Sequence, residues 1–118
     1  MRKLTSLTQM LEQYVDQSKF DVFTDEGKMT KSNAKALDYR LSYRANIYIN
    51  DFAGDALLLF AAVGEWMSEH ASKTGGDEFM RFETALERET DAFIAIELQL
   101  VENVSVKRLD GKLVAHAC

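Results

Sequence analysis

The stretch YRLSYRANIYINDFAGDALLLFAAVGEWMSEH, residues 39–70, changes its periodicity halfway along, and that change decides the fold. Leu37, Tyr39, Leu41, Tyr43, Ala45, Ile47 and Ile49 fall on one parity, and Asp38, Arg40, Ser42, Arg44, Asn46 and Asn50 on the other. Successive side chains of an extended chain point to opposite sides, so this alternation specifies a half-buried strand over residues 37–50. Residues 56–63 are apolar without interruption and read as the start of a helix that runs to about His70. Between the two, Asp51 or Gly54 is suited to cap the helix. Asp55 falls in its first turn, where a carboxylate meets the positive end of the helix dipole. A helix this apolar carries more greasy surface than the outside of a small monomer tolerates, so the sequence predicts that something else covers it.

Upstream, Ser6-Leu7-Thr8-Gln9 has the form of a capping box, and Leu7, Met10, Leu11, Tyr14 and Val15 recur at helical spacing. This predicts a helix from near Ser6 to Gln17 or Ser18. Phe20, Val22 and Phe23 suggest a short strand that ends in an Asp25-Glu26-Gly27 turn, followed by a polar loop to residue 35 suited to contacting a partner. Downstream, residues 72–77 read as a glycine-containing breaker. A strand over residues 79–88 puts Met80, Phe82, Thr84 and Leu86 on one side, and residues 89–91 read as a turn. A cleaner strand over 93–101 turns Ile94, Ile96, Leu98 and Leu100 inward, and Asp110-Gly111 marks a hairpin between residues 104–109 and 112–115. The expected fold is α+β, with two main helices packed on a mainly antiparallel sheet of about four to five strands, in a single domain over residues 1–118.

Composition narrows the function. With 118 residues, 47% hydrophobic and 28% charged, the chain has the make-up of a soluble globular domain, and no apolar run approaches the roughly 20 residues that span a bilayer. The first residues lack the apolar core of a secretory signal. A single cysteine, Cys118, excludes an internal disulfide and fits a reducing compartment. The formal net charge of −5 argues against a surface built to grip phosphates; Arg40 and Arg44, on the polar face of the strand, are read as partners of acids on a neighbouring strand or subunit.

No pattern announces an enzyme. Glu65, Glu69 and His70 lack the spacing of di-iron or zinc helices and read as solvated helix-end charges. Asp51 and Asp55 supply too few oxygens for a calcium loop, and neither His70 nor His116 sits in a nucleophile motif. Gly75-Gly76 lacks the Lys-Ser/Thr of a phosphate loop. No catalytic residue, metal or cofactor is expected. Tyr39 and Tyr43 share the core face, Tyr48 points to the polar side, and Trp66 is expected to anchor a core or an interface.

The segment from Tyr43 to Asp55, followed by an apolar helix that ends in Glu65-Trp66, resembles the R-type tail completion proteins of contractile-tailed temperate bacteriophages. In that family a hydrophobic strand enters an Asp-Phe-x-Gly-Asp turn and a helix with a Trp near its end; Asp51, Phe52, Gly54, Asp55 and Trp66 match it here. The order of elements agrees over most of the chain, although family members can carry a C-terminal extension after the last hairpin. The resemblance implies a non-enzymatic virion subunit that completes or terminates the tail at its head-proximal end, caps tube or sheath polymerisation and prepares head-tail joining. It further implies a homo-oligomer, a hexameric ring, that contacts the tail tube or sheath protein and the head-tail connector. DNA would pass through the ring without specific binding, and no membrane would be involved. Assembly would take place in the bacterial cytoplasm, and the finished location would be the virion tail. Arg40, Arg44, Asn46, Tyr48, Leu57 and Phe60 are the candidate interface residues. The alternative is a small binding module or assembly chaperone for tail proteins, acting through a strand edge or the loop over residues 25–35.

Overall fold

Two long antiparallel strands carry the rest of the molecule. In the computed structural model, which describes residues 2–70, 80–86 and 92–117, helix α1 (Arg2–Leu11) and a short 3-10 turn (Gln17–Lys19) lead into β1 (Phe20–Thr30) and β2 (Tyr39–Phe52). Helix α2 (Ala56–His70) follows, then β3 (Met80–Leu86), β4 (Ala92–Leu109) and β5 (Lys112–Ala117). The strands form one antiparallel sheet in the order β1-β2-β4-β3, with β5 paired to the far half of β4. This is the α+β architecture expected from the periodicity.

The β2–β4 register explains the core. Ile49 faces Ile94, Ile47 faces Ile96, Ala45 faces Leu98 and Tyr43 faces Leu100, and all eight side chains are buried on the face that carries the helices. From α1 come Leu7 and Leu11, and from α2 come Leu59, Val63 and Trp66, spaced so that each helix presents one stripe to the sheet. The apolar helix therefore lies on its own sheet, contrary to the expectation that only another molecule covers it. The part left outside is narrower: Leu57 is 79% exposed and Leu58 55%.

Several boundaries differ from those expected, each for a local reason. Helix α1 starts at Arg2, so Ser6 lies inside it and is no cap. Its first turn is held instead by β4: the buried Glu102 carboxylate accepts from the Lys3 backbone N–H at 3.4 Å and from the Tyr43 hydroxyl at 2.8 Å. A carboxylate there meets the positive end of the helix dipole. The Asp25-Glu26-Gly27 segment is a bulge within β1 and no terminal turn: three steps from Asp25 to Lys28 match two from Arg44 to Ser42, and Glu26 takes a positive φ of 50°. An edge strand absorbs such an extra residue, and residues 28–30 stay paired. Residues 93–101 and 104–109 join into one 18-residue strand, because β5 takes over on β4 where β3 has ended. The expected breaker at 72–77 and turn at 89–91 lie outside the described residues.

Because the central pair is buried on its helix face, truncating it should be severe while truncating the outer helix surface should not. Ile47→Ala is expected to lower unfolding free energy by about 3 kcal/mol, against less than about 0.5 kcal/mol for Leu57→Ala, read as a shift in urea midpoint at unchanged slope.

Candidate interaction surfaces

The turn between β2 and α2 is built around one extra residue. Ile49 to Phe52 spans three steps where Ile94 to Ala92 spans two, and Asp51 takes the left-handed conformation at φ 51°. The bulge inverts the parity of the strand, so Phe52 returns to the core face and is buried there. Its ring lies against Gly54: a Cβ at that position would stand 3.0 Å from the ring, so the ring would have to shift to make room. Asp55 then caps the helix, its Oδ1 accepting from the backbone N–H of Leu57 at 3.0 Å and of Leu58 at 3.3 Å. The cap is Asp55, not Asp51 or Gly54.

Trp66 ends this unit by tying α2 to α1. Its indole N–H donates to Ser6 Oγ at 3.0 Å, Ser6 Oγ lies 3.1 Å from His70 Nε2, and His70 Nδ1 lies 2.9 Å from the Trp66 carbonyl oxygen. The carbonyl requires a proton on Nδ1, so in the neutral imidazole Nε2 accepts from the Ser6 hydroxyl, and the ring stacks on the indole at 4.7 Å. A serine and a histidine thus meet, which the sequence did not suggest because 64 residues separate them. The third partner is a backbone carbonyl with no carboxylate, and the indole N–H occupies the serine oxygen. The chain of bonds closes on itself and fastens two helices. Among the described residues no group of three or more His, Cys, Asp or Glu is placed to hold a metal ion, and no helix is long and apolar enough to cross a membrane.

Among the described residues, the other face of the sheet carries no helix. In its middle Arg44 donates through Nε and Nη2 to the two carboxylate oxygens of Asp25, both at 2.7 Å, while Glu26 and Glu97 lie 3.6 and 3.9 Å away. Asn46, 3% exposed, adds its amide to Asp25 at 3.1 Å. The guanidinium, with the Asn46 amide, holds the Asp25 carboxyl below the usual carboxylate range, and Asp25 in turn raises the pKa of Arg44. Further along the strands, Phe23 meets Tyr48 edge-on at 5.1 Å and Tyr48 lies 5.9 Å from Phe93, forming a partly exposed aromatic ledge.

The six candidate interface residues divide between two layers. Arg44, Asn46 and Tyr48 share the open face, and Arg40 continues their parity opposite Asn103. Leu57 lies outward on α2, and Phe60 is partly buried beside β3, its ring 4.5 Å from that of Phe82. They form no single patch. Phe23, Asp25, Glu97 and Phe93 were missed; the alternation Asp21, Phe23, Asp25 ahead of the bulge and the shared parity of Phe93 and Glu97, opposite to Ile94, would have found them.

A small α+β module with no assembled catalytic centre among its described residues, one helical layer and one bare sheet face is the class of protein these features define. The sequence matches the family described as P2 phage tail completion protein R (GpR) over residues 1–117, and the chain belongs to that family. It is 27% identical over 117 residues to the tail completion protein R of Escherichia phage P2, a match that covers 95% of this chain and 74% of the relative. No solved structure matches it.

Two substitutions test the local chemistry. Ser6→Ala removes a partner from both the indole N–H and the imidazole, and is expected to cost about 1–3 kcal/mol in thermal or urea unfolding. For Asp25, a folded-state pKa held below the ordinary value means that its contribution is fully present above the ordinary value and is lost as pH falls from there through the lower folded-state pKa. Wild type should therefore exceed Asp25→Asn in stability at neutral pH, and the difference should vanish in acid, as read by urea midpoints across pH.

Proposed function

We propose that this chain is a structural, non-enzymatic virion protein that completes or terminates a contractile phage tail at its head-proximal end. The reading rests on the family match across residues 1–117, and the bare sheet face and the β4–β5 hairpin are compatible with a protein that works by contact. The subunits form a homo-oligomer, a hexameric ring, on the last layer of tail tube or sheath, stop further polymerisation there and offer a surface to the head-tail connector. DNA passes through the ring without specific binding, as suits a chain whose formal net charge is −5. Assembly takes place in the host cytoplasm, and the protein remains in the virion tail.

Deleting the gene from the phage that carries it is expected to give tails of abnormal length, or tails unable to join heads, in electron micrographs of lysates, with a matching fall in titre. Normal tails at normal titre would overturn the reading.

A further inference from the structure

One part of the fold is tied to the rest of the described chain only at its root, where the Val106 backbone N–H donates to the Asp38 carboxylate at 2.7 Å. Beyond Val104, β4 leaves β2, and among the described residues it continues only with β5, as a two-stranded arm around Asp110 and Gly111. The molecule is correspondingly long, 58 × 27 × 22 Å. A two-stranded ribbon is marginally stable in water unless something packs on it. This one exposes Leu109 and Leu113, at 57% and 59%.

The charge of the arm opposes that of the body. Lys107, Arg108 and Lys112 against Asp110 give the arm a net charge of +2, in a chain whose total is −5, so the remainder carries −7. Parity puts Lys107 and Leu109 on one side of the arm, and Lys112, which pairs with Leu109, joins them there. That side has an apolar centre flanked by two cations. On the open sheet face, Phe23 and Tyr48 form an apolar centre flanked by Asp21 and Glu26, and the Arg44 cluster brings three carboxylates to one guanidinium. The two surfaces are complementary in charge and in the position of their apolar parts. They cannot meet within one chain, because Leu109 and Ala95, which faces Tyr48, are 14 residues apart on a continuous strand, about 45 Å at the rise of an extended chain.

We propose that the β4–β5 arm of one copy docks on the Phe23–Tyr48 ledge of the next copy, with Lys107 and Lys112 beside Asp21 and Glu26. This deepens the homo-oligomer reading above and rests on it. The contact joins two different patches, so it repeats head to tail and closes into a ring when the rotation between copies allows.

A charge-swap experiment on the full chain tests it, by sedimentation velocity at low and high salt with circular dichroism as the control for folding. Wild type is expected to associate, and more weakly at high salt. Lys107→Glu/Lys112→Glu and Asp21→Lys/Glu26→Lys should each lose association by roughly tenfold or more, and an equimolar mixture of the two should recover it, since each variant then faces an opposite charge. Leu109→Ser, which changes no charge, should weaken association at both salt concentrations. A wild type that stays monomeric throughout would remove the oligomer itself. An oligomer indifferent to both charge variants, or a mixture that fails to recover, would leave the oligomer standing and overturn the arm contact. Lys107- and Lys112-dependent binding of duplex DNA, with association unchanged, would overturn it in favour of a nucleic-acid arm.

Discussion

The pairing of β2 with β4 is the constraint on which everything else in this molecule depends. Ile47 against Ile96 and Ile49 against Ile94 place four fully buried branched side chains on one face at the centre of the sheet. A slip of one residue would turn that whole set toward the open side, so the register is strongly specified. Once it is fixed, the open face is fixed as well. Arg44 must stand across from Asp25 on one side and Gln99 on the other, and Tyr48 must stand across from Asp21 and Ala95. The surface chemistry is a consequence of core packing read on the opposite parity.

The two bulges modify that logic at chosen places. In β1 the extra residue at Glu26 brings a third carboxylate toward Arg44, and one guanidinium with three acids leaves a local surplus of negative charge. At the end of β2 the extra residue at Asp51 returns Phe52 to the core and sets Asp55 at the start of α2. Asp51, Phe52, Gly54 and Asp55 thus make one corner: a left-handed residue, a ring, a glycine on which that ring packs closely and a cap. Trp66 fixes the far end of the same helix to α1 through Ser6. The residues that carry the family likeness therefore hold the helical layer on the sheet, whereas the exposed chemistry lies on the other side.

Much of this was legible because period-2 alternation is unambiguous when one sheet face is buried. The faces of β2, β3 and β4 followed from parity alone, as did the hairpin at Asp110-Gly111, whose glycine takes a φ of 77°. What was illegible depended on partners distant in sequence. Ser6 reads as a cap until Trp66 and His70, 60 and 64 residues away, are seen to claim its hydroxyl. Asp25-Glu26-Gly27 has the composition of a turn, and only the neighbouring β2 decides that the strand continues through it as a bulge. The greasy helix was the most misleading signal. An uninterrupted apolar run cannot say which of its sides is covered by the sheet that the same chain builds.

In the proposed homo-oligomer, the drive for association therefore lies largely outside the helix. Leu59, Val63 and Trp66 are satisfied within the chain, so the helix offers a neighbour only the narrow strip of Leu57 and Leu58. Among the described residues, the larger uncovered surfaces are a cationic two-stranded arm at one end and an aromatic, acid-rimmed face toward the other. Each is uncomfortable by itself: a free ribbon lacks a layer to pack on, and a sheet face with Phe23, Tyr48 and Phe93 leaves ring surface in water. A two-fold dimer through the open face would set one acidic ledge against another and leave the arms free. Head-to-tail docking brings opposite charges together and covers arm and ledge in the same contact, which favours that arrangement over a symmetric pair.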